Sequence, residues 1–290
     1  MDAASCTLLP SFCTLCGSPL PRFSSVPICD ACWTEIPLHS SPACVRCGDP
    51  LDEPTASGKA GVCRACRLAP PPFMRAVSYG PYQDRMREVI HALKYEGFRP
   101  TARKLGELLA QAIAQLASEA PADLLVVPVP LHRSKFAVRG FNQSRLLAAE
   151  AIAALRKTHP HWRLTLAPTT LLRLRATDSQ AGLTPRQRRL NVRGAFRVSD
   201  PASLAGKHLL VIDDILTTGA TARACARALQ NAGAESVWVA TLARAQRIHV
   251  RSTAFAVRND ELDELNLTPG NAPGMNDPNA TMNAQNQPSF

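Results

Sequence analysis

Nine of the ten cysteines lie before residue 67, and eight of them form four Cys-x-x-Cys pairs: Cys13/Cys16, Cys29/Cys32, Cys44/Cys47 and Cys63/Cys66. Two thiolates separated by two residues can grip one ion from a tight turn, and a second pair completes a tetrahedral sulfur site. Met1 to Pro10 has no basic stretch and no long apolar run, so no secretory leader is expected and a cytoplasmic location is. In that setting the pairs read as metal ligands before disulfides. Four thiolates suit Zn2+, with an iron–sulfur cluster as the metal alternative. Cys6 and Cys225 stand alone and are not expected to be ligands.

The pairs sit in an internal repeat. Cys13-Thr-Leu-Cys-Gly-Ser-Pro-Leu20 matches Cys44-Val-Arg-Cys-Gly-Asp-Pro-Leu51, and each copy is followed by a second pair. Gly17 and Gly48 fall where a metal knuckle needs positive φ. The repeat favours two sequential zinc sites, with a cross-braced pairing left open. A ribbon domain over residues 10–68, with few large apolar side chains, is expected to need its metal to fold. Ala69-Pro-Pro-Pro72 then reads as a stiff linker between the ribbon domain and the rest of the chain.

Overall charge is +10, but it is not spread evenly. Leu131 to Ser199 carries fourteen Lys/Arg against Glu150 and Asp178, a net +12 that leaves −2 for the remainder. A single-sign block of this kind points to an anion-binding face rather than a solubility surface. With 46% hydrophobic and 19% charged residues the chain is globular, and no apolar run reaches the roughly 18 residues of a membrane span. Residues 258–290 are rich in Asn, Pro, Asp and Gly, carry a net −4 and read as a disordered tail.

Between residues 73 and 257 strand and helix patterns alternate. Strands are expected at Phe73 to Tyr79, Leu124 to Val129, Lys207 to Ile212 and Ser236 to Leu242. Helices are expected at Tyr82 to Tyr95, Thr101 to Leu116, Gln143 to Leu155 and Ala220 to Gln230. Strands apolar on both sides, separated by helices, give an α/β domain with a parallel sheet covered on both faces.

The sharpest motif is Leu209-Leu-Val-Ile-Asp-Asp-Ile-Leu-Thr-Thr-Gly-Ala-Thr221. It reads as a buried strand ending in two partly wet carboxylates, a hydroxyl-rich loop and a helix. Open α/β sheets bind ligands beyond the carboxyl ends of their strands. The loop Thr217, Thr218, Gly219, Ala220, Thr221 offers backbone N–H groups, hydroxyls and a helix N-terminus, which together suit a phosphate. Asp213 and Asp214 would repel that phosphate but can accept hydrogen bonds from ribose hydroxyls. The plain alternative is a strand–turn–helix with an Asp cap.

This segment resembles the phosphoribosyl pyrophosphate (PRPP) motif of type I phosphoribosyltransferases. Together with Leu93-Lys-Tyr-Glu-Gly97, Val127-Pro-Val-Pro-Leu131, Arg139-Gly-Phe-Asn-Gln143 and the cysteine repeats, it is similar to the ComF/GntX family. Those are competence-associated proteins with a zinc ribbon before a phosphoribosyltransferase-like domain. The resemblance spans Cys13 to Arg244.

It implies PRPP with Mg2+ at Asp213, Asp214 and Thr217 to Thr221, and a pyrophosphate loop at Val129, Pro130 and Leu131. It also implies cations at Lys94 and Arg139, and a flexible hood at Arg173 to Phe196 carrying Arg186 and Arg189. Single-stranded DNA, and DNA-uptake proteins at the inner face of the membrane, are implied as partners. Three readings result: an enzyme displacing pyrophosphate from PRPP, a single-stranded DNA-binding factor, and a PRPP sensor without turnover. The sequence presents no evident general base. With three Trp and three Tyr, it supplies base stacking sparsely.

Overall fold

The computed structural model describes residues 11–21, 25–39, 42–51, 61–176 and 185–245. At its centre is a parallel five-stranded sheet in the order β1-β7-β6-β2-β3. The strands are β1 (Ala76–Pro81), β2 (Asp123–Pro128), β3 (Arg163–Leu166), β6 (His208–Leu216) and β7 (Ser236–Arg244). β4 (Leu171–Arg173) and β5 (Phe196–Val198) pair antiparallel outside it. The helices are α1 (Asp30–Thr34), α2 (Arg64–Leu68), α3 (Asp84–Tyr95), α4 (Thr101–Ala114), α5 (Arg133–Arg139), α6 (Gln143–Thr158), α7 (Pro185–Val192) and α8 (Ala220–Asn231). No helix among the described residues is long and apolar enough to cross a membrane.

The period-2 alternation of strand side chains divides the core into two layers. Leu210 and Ile212 of β6 join Val126, Ala240 and Leu242 in one layer, which α3, α4 and α6 cover through Leu93, Leu105, Leu109, Leu147 and Leu155. Leu209 and Val211 join Val127, Val237 and Val239 in the other, covered by Cys225, Ala226 and Leu229 of α8. That is why these strands are apolar on both faces. Cys225 is a core side chain, fully buried.

The two ribbons share one hydrogen-bond pattern. Cys13 N–H donates to Ser18 O (2.7 Å) and Gly17 N–H to Cys13 O (2.8 Å). Cys44 N–H donates to Asp49 O (2.8 Å) and Gly48 N–H to Cys44 O (2.8 Å). Gly17 and Gly48 take φ of +73° and +65°, as the knuckle requires.

The ribbons are not held off by the proline run. Leu20, Ile28, Cys32 and Ile36 of the first lie in the same core as Val77, Tyr79 and Met86. Arg46 of the second donates to Met74 O (3.1 Å), and Arg46 O accepts from Ala76 N–H (2.9 Å). Arg223 of α8 donates to Ala69 O (3.0 Å) and Pro70 O (3.1 Å), which ties the expected linker down. Residues 246–257, at the expected end of the α/β domain, and the 258–290 tail lie outside the described residues.

Candidate functional site

The strand expected to stop at Ile212 runs on to Leu216, because Ile215 and Leu216 keep their pairing with Ala243 and Arg244 of β7. Asp213 and Asp214 therefore sit within the paired length of β6 rather than beyond it; Asp213 is partly wet as expected, and the expectation of a partly wet Asp214 is corrected. Asp214 is 5% exposed. Its Oδ2 accepts from Lys94 Nζ at 2.8 Å and from Gln143 Nε2 at 2.8 Å. Asp213 is half-buried, and its Oδ1 accepts from Ser144 Oγ (3.2 Å) and from the Asp214 N–H (2.9 Å).

The electrostatics follow from that placement. Burial pushes the Asp213 carboxyl up to about 7; the neighbouring Asp214 charge adds to the rise and the Lys94 ammonium opposes it. Burial alone would lower the Lys94 ammonium, but Asp214 and Asp213 outweigh it and the net direction is upward. Burial likewise depresses Arg173, with the Asp213 charge opposing.

The motif Arg139-Gly-Phe-Asn-Gln143 acquires a purpose at each end. Asn142 Oδ1 caps α6 by accepting from Ser144 N–H (2.9 Å) and Arg145 N–H (3.3 Å), while its Nδ2 donates to Val129 O (3.0 Å). Gln143 relays: Oε1 accepts from Arg139 and Nε2 donates to Asp214. Phe141 is core, with the Arg99 guanidinium 4.7 Å from its ring.

One cavity of about 370 Å³ gathers most of these groups. Asp213, Asp214, Thr217, Gly219, Ala220 and Thr221 line it, as do Lys94, Val129, Leu131 and Arg139. Gly219 holds φ +76° ahead of α8, a conformation costly to any side chain, and thereby turns the strand into the helix. Thr218 lies aside: its Oγ1 accepts from Ala220 N–H (3.4 Å), and it lines a neighbouring groove along α8. Pro130 is not among the lining residues. The side chains of Arg186 and Arg189 lie outside the described residues, but Arg188 of the same helix lines the cavity, with Lys135 and Arg173.

The cysteine clusters resolve as two sequential sets, Cys13, Cys16, Cys29, Cys32 and Cys44, Cys47, Cys63, Cys66, with sulfurs within 4.8 Å of one another in each. The cross-braced alternative falls. The Cys13–Cys32, Cys16–Cys29 and Cys47–Cys63 sulfurs are 3.8, 3.7 and 3.7 Å apart. Four sulfurs each about 2.3 Å from one ion at tetrahedral angles stand about 3.8 Å from one another. A disulfide would need about 2.05 Å. Backbone N–H groups of Cys29 and Cys63 point at the Cys13 and Cys44 sulfurs (3.4 and 3.3 Å), as thiolate ligands require. The residues fit two structural Zn2+ ions.

A family model described as a double zinc ribbon domain matches residues 4–67, and one described as a phosphoribosyl transferase domain matches residues 156–267. The DNA utilization protein YhgH of Salmonella typhi is 34% identical over 239 residues, covering 81% of this chain and 98% of that protein. Competence protein F of Haemophilus influenzae is 27% identical over 75% of this chain and 90% of that protein. Competence protein ComFC of Bacillus subtilis is 26% identical over 75% and 84%.

The chain belongs to the ComF/GntX family. Its α/β part is the phosphoribosyltransferase-type fold expected of ComF/GntX proteins, preceded by the two zinc ribbons. Lys94 and Arg139 lie ahead of the segment that the phosphoribosyl model matches, so it is geometry that connects them to the Asp pair. Sequence reasoning missed Gln143 and Ser144 as partners of the acids, and Arg244 and Asp49 behind the loop. The run of polar residues opening α6 was the available signal for the first two. Nothing local marks the second pair, which is 195 residues apart.

Proposed function

We propose that this protein binds PRPP with Mg2+ in the cavity at the end of β6 and handles single-stranded DNA during DNA uptake in natural transformation. The observation that carries the reading is the convergence of paired carboxylates, a small loop at a helix N-terminus and several cations on one 370 Å³ space. Thr217 to Thr221 and the α8 N-terminus would take the 5′-phosphate. Asp213 would accept from the ribose hydroxyls, while Lys94 neutralises Asp214 beside it. Lys135, Arg139, Arg173 and Arg188, with the Val129–Leu131 turn, would face the pyrophosphate. Mg2+ would screen the pyrophosphate charge.

Turnover would break the bond from the anomeric carbon to pyrophosphate, which leaves with the electron pair as a nucleophile supplies another. Among the described residues, neither His nor Glu lines the cavity. Asp213, drawn up to about 7, would be able to take a proton there, and the larger part of the rate enhancement would come from positioning and from cations on the leaving group. Isothermal titration with PRPP and Mg2+ tests the binding: saturable heat supports it, and none at millimolar ligand overturns it. Release of pyrophosphate separates an enzyme from a sensor.

The DNA part draws on relatives named for DNA utilization and competence. A specific observation supports it. Tyr95 lines the cavity yet is 68% exposed, with the Arg139 guanidinium 5.2 Å from its ring centre. Phe136 is exposed on α5, between the lining residues Lys135 and Arg139. Aromatic faces among cations suit splayed bases and a phosphate backbone. Tyr95→Ala should weaken binding of a single-stranded oligonucleotide about tenfold without changing its salt slope; equal affinity would place the DNA elsewhere. A cytoplasmic location belongs to this reading.

A further inference from the structure

The two ribbons repeat each other closely, and of the three knuckle positions at which they differ, the one after the glycine reaches furthest into the molecule. Ser18 follows Gly17 in the first, and Asp49 follows Gly48 in the second. Ser18 is exposed, with its Oγ 3.3 Å from Cys16 Sγ. Asp49 is 2% exposed and fixed at both ends of its backbone. Its carbonyl accepts from Cys44 N–H (2.8 Å), and its N–H bonds to the Cys47 sulfur. The knuckle thus sets the direction of the Asp49 side chain.

That carboxylate accepts from Arg244 Nη2 at 2.8 Å, and the two side chains are 3% and 1% exposed. Arg244 ends β7. Its Nη1 donates to Leu216 O (2.7 Å), to Ala245 O (3.0 Å) and to Thr217 O. Leu216 and Thr217 are where β6 gives way to the phosphate loop. Peptide units here are trans, so each carbonyl drawn to Arg244 turns the next residue's N–H the opposite way. The guanidinium thereby orients the N–H groups of Thr217 and Thr218. A buried guanidinium with a carboxylate on one side and backbone carbonyls on the other is a rigid strut, since its donors lie in one plane.

We propose that Asp49 and Arg244 are positioning residues for phosphate recognition: the second zinc knuckle holds Asp49, Asp49 holds Arg244, and Arg244 holds the carbonyls that open the Thr217–Thr221 loop. The proposal rests on reading that loop as the 5′-phosphate site. It gives the second ribbon a part in ligand binding that the first, with Ser18 facing solvent, does not have.

The test uses full-length, zinc-loaded protein and titrates ribose 5-phosphate and, separately, pyrophosphate with Mg2+. Asp49→Asn keeps the shape and removes the charge. Affinity for ribose 5-phosphate should fall about tenfold, the loss of one charge-assisted hydrogen bond, while pyrophosphate affinity and zinc content stay at wild type. Ser18→Ala should leave both ligands unaffected. Should Asp49→Asn fail to fold, Arg244→Lys keeps the pair with fewer donors and should show the same selective loss. Equal ribose 5-phosphate affinity in wild type and variant overturns the proposal. So does an equal fall for both ligands, which would mean general loosening. A wild type that binds neither ribose 5-phosphate nor PRPP overturns the phosphate reading itself, and the proposal with it.

Discussion

Asp213 and Asp214 are adjacent in the chain but differ in what they would lose. Asp214 neutralises a Lys94 ammonium that is 14% exposed. Asp214→Asn strands that charge in the protein, and breaking a buried pair from one side costs about 3 kcal/mol. Asp213→Asn removes a carboxyl that burial already drives towards its neutral form, up to about 7, so stability should hold. Denaturant unfolding of the two variants should separate them, whereas PRPP affinity should drop tenfold or more in Asp213→Asn. Equal midpoints would remove the Lys94–Asp214 pair from the argument. The same shift gives a pH dependence. Below about 7 the Asp213 carboxyl holds a proton that ribose hydroxyls must displace, so PRPP affinity should rise as pH goes from 5.5 to 8. PRPP titrates in that window too, and the difference between wild type and Asp213→Asn isolates the residue. A profile the substitution does not alter would refute the assignment. The acids were legible in the sequence because charge at the end of an apolar run is conspicuous. The burial of Asp214 was not, because it depends on β7 pairing beyond Ile212 and on a lysine 120 residues away in the chain.

Elements with a clear period came through within a few residues. α4, expected to Leu116, ends at Ala114, and α6, expected to Leu155, continues to Thr158. β1 is displaced, from an expected Phe73–Tyr79 to Ala76–Pro81, because its register is set by β7 from Ala76↔Val239 to Pro81↔Arg244. β4 and β5, three residues each, and the seven-residue α5 were too short to show a pattern. The opening of α6 supports a prediction at this scale. Asn142 both caps the helix and holds Val129 O, which links the α6 start to the expected pyrophosphate loop. Asn142→Ala should cost about 1 kcal/mol as a lost cap, and Asn142→Ser should recover part of it. Pyrophosphate affinity should fall in both, because neither replaces the Nδ2 donor to Val129. Thermal melts and titration check the two halves separately. A Ser variant restored to full pyrophosphate affinity would disconnect Val129 from the site.

At the scale of the whole molecule, the sequence made the ribbon domain look detachable, since nothing local opposes a proline run and eight cysteines form a self-contained motif. The packing says otherwise. Cys13 and Cys32 are 2% and 1% exposed in a core shared with Val77, Tyr79, Met86 and Trp238, and Leu20, Ile28 and Ile36 bridge the two. Losing the first zinc releases those three side chains, each contributing roughly 1.5–3 kcal/mol of burial. Their sum is comparable to the 5–15 kcal/mol by which a typical domain is stable. Cys13→Ser should therefore lower the stability of the α/β sheet as well as the ribbon, in one transition seen alike by helical ellipticity and by Trp238, which is 5% exposed in that core. Elemental analysis should give two zinc ions per chain for wild type and one for the variant, because Cys44, Cys47, Cys63 and Cys66 form a separate cluster. Hydrogen exchange should rise in β1 and β7 and not in the first ribbon alone. A variant whose sheet amides stay protected while its ribbon amides exchange freely would restore the detachable domain and disprove the shared core.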